Sequence, residues 1–459
     1  MLRAPLRWAA ALFVSTSFAA LAGCSDSGDD QPTGQTGGAA TNGGGGQNAD
    51  GGGGTDTGGA GGTGEGGSGG SEELVWPNGM APNNSHPWLR EHHAELVRIE
   101  PRVLVLEVVN KPETEIQSIE ELLPGLVAAF AEGSRYHGYS DPNAEPFLQY
   151  QIDKVVDLRD PSGAAYPDFW PPETPNGWDV GELFTEGFAP RLGYEDPDAP
   201  GEFLTMCELF ERGLVNELWI SAESGVRNIY ENQSHVQVYD EDLEPVAGSF
   251  NDCTNGCYYD PSHRVTCSVS VRMQEINKTR GVGCGTHAAG HAQENLRFSI
   301  PYLRDNATRF YGFDLDTRFG LSSPDLYACS YDPGLCVERP AADRMVSAAL
   351  WPGDPFDVAG WGAACGNVHF PANARSQYDY YSSIQALSSC EGYGLGGGPN
   401  GEDATTTFTS ALTEAYEAEH GDCGGGWMVY MGQSMPGRGN QATDAEGGPM
   451  LNWWPFLFY

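Results

Sequence analysis

Apolar residues run almost unbroken through Arg102-Val-Leu-Val-Leu-Glu-Val-Val109. A strand buried on both faces reads this way, because neither face needs a polar alternation. Ile119, Leu122, Leu123, Leu126, Val127 and Phe130 then recur at helical spacing and predict a helix over Ile116–Glu132, with Pro124 as a break or kink. A second strand is expected at Phe147–Leu158, a third at Glu217–Ala222 and a fourth at Thr266–Ile276. Val180–Phe188 and Glu202–Arg212 read as helices, the second stopped by Gly213. After the fourth strand a turn carrying Gly281, Gly283 and Gly285 leads into a further helix, which Pro301 breaks, and another helical segment is expected around Tyr302–Phe310. Alternating strands and helices predict the α/β class, a mostly parallel sheet flanked by helices. The last third is loop-rich and closes on Trp453-Trp454-Pro-Phe-Leu-Phe-Tyr459, read as a final buried strand.

The first 72 residues have a different pattern. Arg3 and Arg7 precede an apolar run from Trp8 to Leu21, and Leu21-Ala22-Gly23-Cys24 follows. This order resembles the bacterial lipobox, whose cysteine is lipidated and becomes the first mature residue. Residues 1–23 are thus expected to be a lipoprotein signal peptide, too short for a stable membrane span. Cys24 would anchor the protein in a membrane. Ser25 follows, not aspartate, which favours the outer membrane of a bacterial envelope. Residues 24–72 form a linker with glycine runs at 43–46 and 51–54, unable to build a core. Such a coil spans about 35–40 Å. Residues 73–459 are expected to be one globular body.

Composition narrows the partners. With 63 acidic and 24 basic residues the net charge is −39, which argues against nucleic acid as a partner. Ten cysteines remain once Cys24 is set aside, an even number that suggests disulfides in an exported protein. Cys253 with Cys257 and Cys329 with Cys336 are the short-range candidates.

The candidate chemistry lies in Cys284-Gly-Thr-His287-Ala-Ala-Gly290-His291-Ala-Gln-Glu294. On a helix His287, His291 and Glu294 fall at i, i+4 and i+7, on one face. Two neutral imidazoles and a carboxylate can hold a divalent transition metal such as zinc and leave one position for water. Placement after a strand and a glycine turn sets the histidines at the carboxyl edge of the sheet, near a helix N-terminus that disfavours imidazolium. Glu107, Asp157, Glu223 and Glu275 fall near strand ends, and one or two are expected to reach the site. Gly366-Asn367-Val-His369-Phe-Pro371-Ala-Asn373-Ala-Arg375 supplies His369 as a further metal contact or oxyanion stabiliser. Asn367, Asn373 and Arg375 are binding candidates there, weighed against plain turn-forming roles.

His-x-x-Gly-His-x-x-Glu at 287–294, Gly-Asn-x-His-x-Pro at 366–371 and the closing Pro436-Gly437 to Asn452-Trp453-Trp454 together resemble a group of secreted, mostly bacterial proteins of unknown function. The resemblance covers the chain from about residue 100 onward. Pro371-Ala372-Asn373 departs from that group's Pro-Pro-Asn. No activity comes with the resemblance; it implies that the three patches belong to one site.

Known hydrolase motifs do not fit. The zincin motif needs Glu where this chain has Ala288. Neither a Gly-x-Ser-x-Gly elbow nor a phosphate loop is present. The leading expectation is a surface lipoprotein that acts as a metal-dependent hydrolase on an extracellular polymer, peptide or glycan. His287, His291 and Glu294 would be ligands, and Glu294 and His369 the catalytic groups. The alternatives are a metal-free glycosidase using Glu294 with Glu107 or Glu275, and a non-catalytic adhesion protein.

Overall fold

A computed structural model describes residues 73–459, apart from 112–114, 171–172, 175–176, 179, 223–231, 255–264, 322–335, 349–353, 363 and 399–401. The signal peptide, Cys24 and the linker lie outside the described residues, as does Glu223. No helix among the described residues is long and apolar enough to cross a membrane.

The protein is of the α/β class. Six strands form the central sheet: β1 (Arg102–Glu107), β2 (Gln151–Asp157), β3 (Glu217–Ala222), β4 (Asn232–Tyr239), β5 (Pro245–Thr254) and β6 (Val271–Asn277). Their spatial order is β2-β1-β3-β6-β4-β5. The first four in that order run parallel, and β4 and β5 add an antiparallel hairpin at one edge. In β1, Val103 and Val105 enter one core and Leu104 and Leu106 the other, as the unbroken apolar run requires. The hairpin has no such apolar signature. Asn232, Gln233, Ser234, His235 and Gln237 are all buried in β4, so polar side chains sit where the pattern of a strand would show apolar ones.

Helix α1 (Ile119–Gly133) starts at Ser118, whose side chain accepts from Glu121 N. Pro124 lies inside it without ending it, contrary to the expected break. A proline this close to the start removes one intrahelical bond and leaves the first turn intact. The expected helix over Val180–Phe188 is a 3-10 turn at Val180–Phe184. Helix α2 (Met206–Glu211) is fixed by a capping box of Thr205 and Glu208. Gly213 follows it in the left-handed region (φ 65°). Its Leu209 and Phe210 pack on one face of the sheet with Leu218 and Ile220, while Leu126 and Phe130 of α1 pack on the other with Trp219.

The aromatic terminus is buried, but as a 3-10 turn at Trp454–Phe458, not a strand. Pro455 at its start has no N–H for a sheet ladder and the φ of a helical turn. Disulfides join Cys207 to Cys267, Cys284 to Cys423 and Cys365 to Cys390. Cys253 and Cys336 are also disulfide-bonded, while Cys257 and Cys329 lie outside the described residues.

Candidate metal centre

The turn after β6 carries Gly281 at φ 91° and delivers the chain into α3 (Val282–Asn295). His287 and His291 therefore lie in the second and third turns, not at the N-terminus as the sequence suggested. The dipole of a helix end fades beyond its first turn. The histidines are instead buried, His287 4 % and His291 5 % exposed. Desolvation first, and then the neighbouring His291, push His287 well below the ordinary histidine range, against a raising contribution from its bond to the Cys423 carbonyl. Burial, followed by His291 and His287, does the same to His369. Neutral imidazole is the form that binds a metal.

Glycine brings the third histidine in. A methyl added at Gly290 would lie 2.6 Å from Val368 Cγ2. Only a bare backbone at the middle of α3 lets the 366–369 loop seat there, at the cost of about 1 kcal/mol of helix propensity. The ligand-capable atoms of His287, His291 and His369 then all fall within 4.8 Å of one another. The ring centroids are 4.9 Å apart for His287 and His291, 5.2 Å for His287 and His369, and 4.6 Å for His291 and His369.

Each helical histidine is oriented from behind. His287 Nδ1 donates to the Cys423 carbonyl at 3.2 Å. Cys423 is itself tied to Cys284 at the start of α3 by the disulfide. Tyr380 Oη lies 3.3 Å from the same nitrogen and donates to the Val368 carbonyl at 3.0 Å. His291 Nδ1 donates to Glu294 Oε2 at 3.3 Å. A neutral ring protonated at Nδ1 carries its lone pair on Nε2, the atom left for a metal. Backbone carbonyl and carboxylate are the partners that metal-binding histidines use to fix tautomer and aim.

Glu294, read from the sequence as a ligand or general base, thus stands behind His291. Its second oxygen accepts from Val368 N at 2.8 Å, which clamps the His369 loop to the helix. The other loop candidates have structural partners. Asn367 Oδ1 accepts from the backbone of His369 and Phe370, each at 3.0 Å. Asn373 Nδ2 donates to the carbonyls of Ser382 at 2.6 Å and Ile384 at 3.0 Å. Arg375 Nε meets Asp379 at 3.2 Å. Of the strand-end acids, Glu107 pairs with Lys278 at 2.7 Å and Arg159 at 3.5 Å, Asp157 pairs with Arg159 at 2.6 Å, and Glu275 is buried within β6. None of these three is in the histidine group. The closing patch is joined across its own length, Trp453 N donating to the Pro436 carbonyl at 2.9 Å, and the Asn452 carbonyl accepts from His93 Nε2 at 2.7 Å.

Tyr378 and Tyr380 were not singled out as site residues. Tyr378 Oη is 3.3 Å from His369 Nε2. Gly290, a glycine inside a helix pattern, is the sequence signal for the close approach of the His369 loop. A second group, Cys284, Asp422 and Cys423, also gathers ligand-type atoms, but both its thiols are used in the disulfide.

Fold and site together define an α/β protein with three converging histidines, a set suited to a transition metal. No protein-family model matches the chain, and no curated protein matches it.

Proposed function

We propose that His287, His291 and His369 bind a divalent transition metal, zinc by preference, and that the protein is a metal-dependent hydrolase. It would be anchored through Cys24 to the outer membrane of a bacterial envelope and act on an extracellular peptide or glycan. The observation that carries this reading is the convergence of three imidazoles, two of them held at Nδ1 by a carbonyl and a carboxylate. Three histidines leave a zinc ion one position for water, and bound water becomes a nucleophile near neutral pH. The metal-free glycosidase is disfavoured, because both oxygens of Glu294 and the carboxylate of Glu107 are already engaged.

Metal content by mass spectrometry tests the reading. Residues 73–459 made in an oxidising compartment, without a histidine tag, should carry near-stoichiometric metal. The same protein with His287→Ala and His291→Ala should carry none. Equal content in the two would end the proposal.

The burial of His287 and His291 favours a second reading, a structural metal in a non-catalytic binding protein. The two diverge on chelation. A structural metal contributes folding energy, so its removal would unfold the protein, whereas a catalytic ion should leave and return with the fold intact.

A further inference from the structure

We propose that Tyr378 is a fourth protein ligand, its phenolic oxygen binding the same metal as the three histidines. This rests on the metal-centre reading above and adds a residue that the sequence pattern did not mark. Two donors on one tetrahedral metal, each about 2.0–2.1 Å from it, stand about 3.3 Å apart. Tyr378 Oη is 3.3 Å from His369 Nε2, the separation of neighbouring vertices. Its ring lies 4.6 Å from the His369 ring and 6.2 Å from that of His287, so it borders two of the three histidines.

The backbone supports the assignment independently. Tyr378 has φ 63°, in the left-handed region that a bulky residue rarely enters. Its N–H donates to the His369 carbonyl at 2.8 Å, so the strained residue is held against the residue it would join in binding. Strain of this kind persists where surrounding structure enforces it, and it clusters at functional sites. Tyr378 is half-buried, whereas Tyr380 is buried and donates to the Val368 carbonyl. Tyr378 is thus the more exposed of the two tyrosines. As the oxygen binds, its proton passes to solvent. The hydrolytic water would then bind either as a fifth donor or in place of the phenol.

The test uses the full chain, exported to an oxidising compartment, extracted in detergent and loaded with cupric ion alone. A phenol oxygen bound to copper gives a visible ligand-to-metal charge-transfer band that imidazole and water do not. The wild type should show the band at one ion per chain. Tyr378→Phe should lose it while keeping the ion, and Tyr380→Phe should keep both. Copper bound without the band, or a band that survives in Tyr378→Phe, overturns the proposal and leaves the histidine centre standing; Tyr378 would then only hydrogen-bond His369. Failure of the wild type to bind copper or zinc overturns both readings together.

Discussion

At the carboxyl edge of the sheet, Glu107 meets Lys278 at 2.7 Å and Arg159 at 3.5 Å, acid against base. A short stretch of chain further on, His287, His291 and His369 gather as three bases. Both clusters are largely buried, and both follow from the same β6-to-α3 connection. The first balances itself. Buried opposite charges within hydrogen-bond reach need nothing from outside, and removing one partner is what costs energy. In the second, the bonds that orient His287 and His291 run outward from the group, to Cys423 and Glu294. The three histidines keep ligand-type atoms within 4.8 Å of one another, as a shared cation would require. The sheet edge is where ligands of open α/β folds usually bind. Here the acid at that edge is paired, and the candidate metal-binding group lies on the helix behind it.

The contrast can be broken in order of expected effect. Glu107→Gln should leave the Lys278 ammonium, only 3 % exposed, without its nearest carboxylate. Chemical denaturation should show a loss of about 3–5 kcal/mol. The double variant with Lys278→Met should recover much of that loss, and neither should change metal content. A fall in metal content in Glu107→Gln would show that the two clusters are one.

Glu294→Gln should behave in the opposite way. The amide oxygen can still accept from Val368 N, so the fold should stand. The charge that strengthens His291 is gone, and metal affinity, measured by competition with a chelator, should drop about 10–100-fold, equivalent to about 1.4–2.7 kcal/mol. Unchanged affinity would remove Glu294 from the centre.

The smallest effect concerns acid. Burial lowers His93 from 6.5 to about 4, against a raising contribution from its bond to Asn452. His287 and His369 shift the same way. For a base with a lowered folded pKa, the unfolded chain takes up the proton first. Stability is therefore full above about pH 6.5 and is lost as pH falls from there toward the folded value. Metal-free protein should lose about 2 kcal/mol between pH 7 and pH 5 from His93 alone. Denaturation midpoints of wild type and His93→Gln at the two pH values would check this. A wild type with a flat profile would contradict the burial account.

Much of the parallel half of the fold was legible in the chain. Val103 to Leu106 and Glu217 to Ala222 are strands because unbroken apolar runs admit few other readings, and Leu122, Leu126 and Phe130 fall on one helical face. The β4–β5 hairpin was not legible. Its buried Asn, Gln, Ser and His positions imitate a polar loop, and His235 finds its partner only across the hairpin, in Asp252 at 2.6 Å. The terminus was legible as buried but not as a turn, because the weight of five aromatic residues obscured the one proline that decides its shape.

The candidate centre divides in the same way. Sequence alone determined that His287 and His291 share a face of one helix, because a 3.6-residue period is a local property of the backbone. Tertiary structure alone decided that His369 joins them, that Glu294 stands behind His291 and that Cys284 pairs with Cys423 across 139 residues. Those outcomes depend on how closely separate segments can approach. The space that sets the approach, a missing side chain at Gly290, acquires meaning only once Val368 fills it.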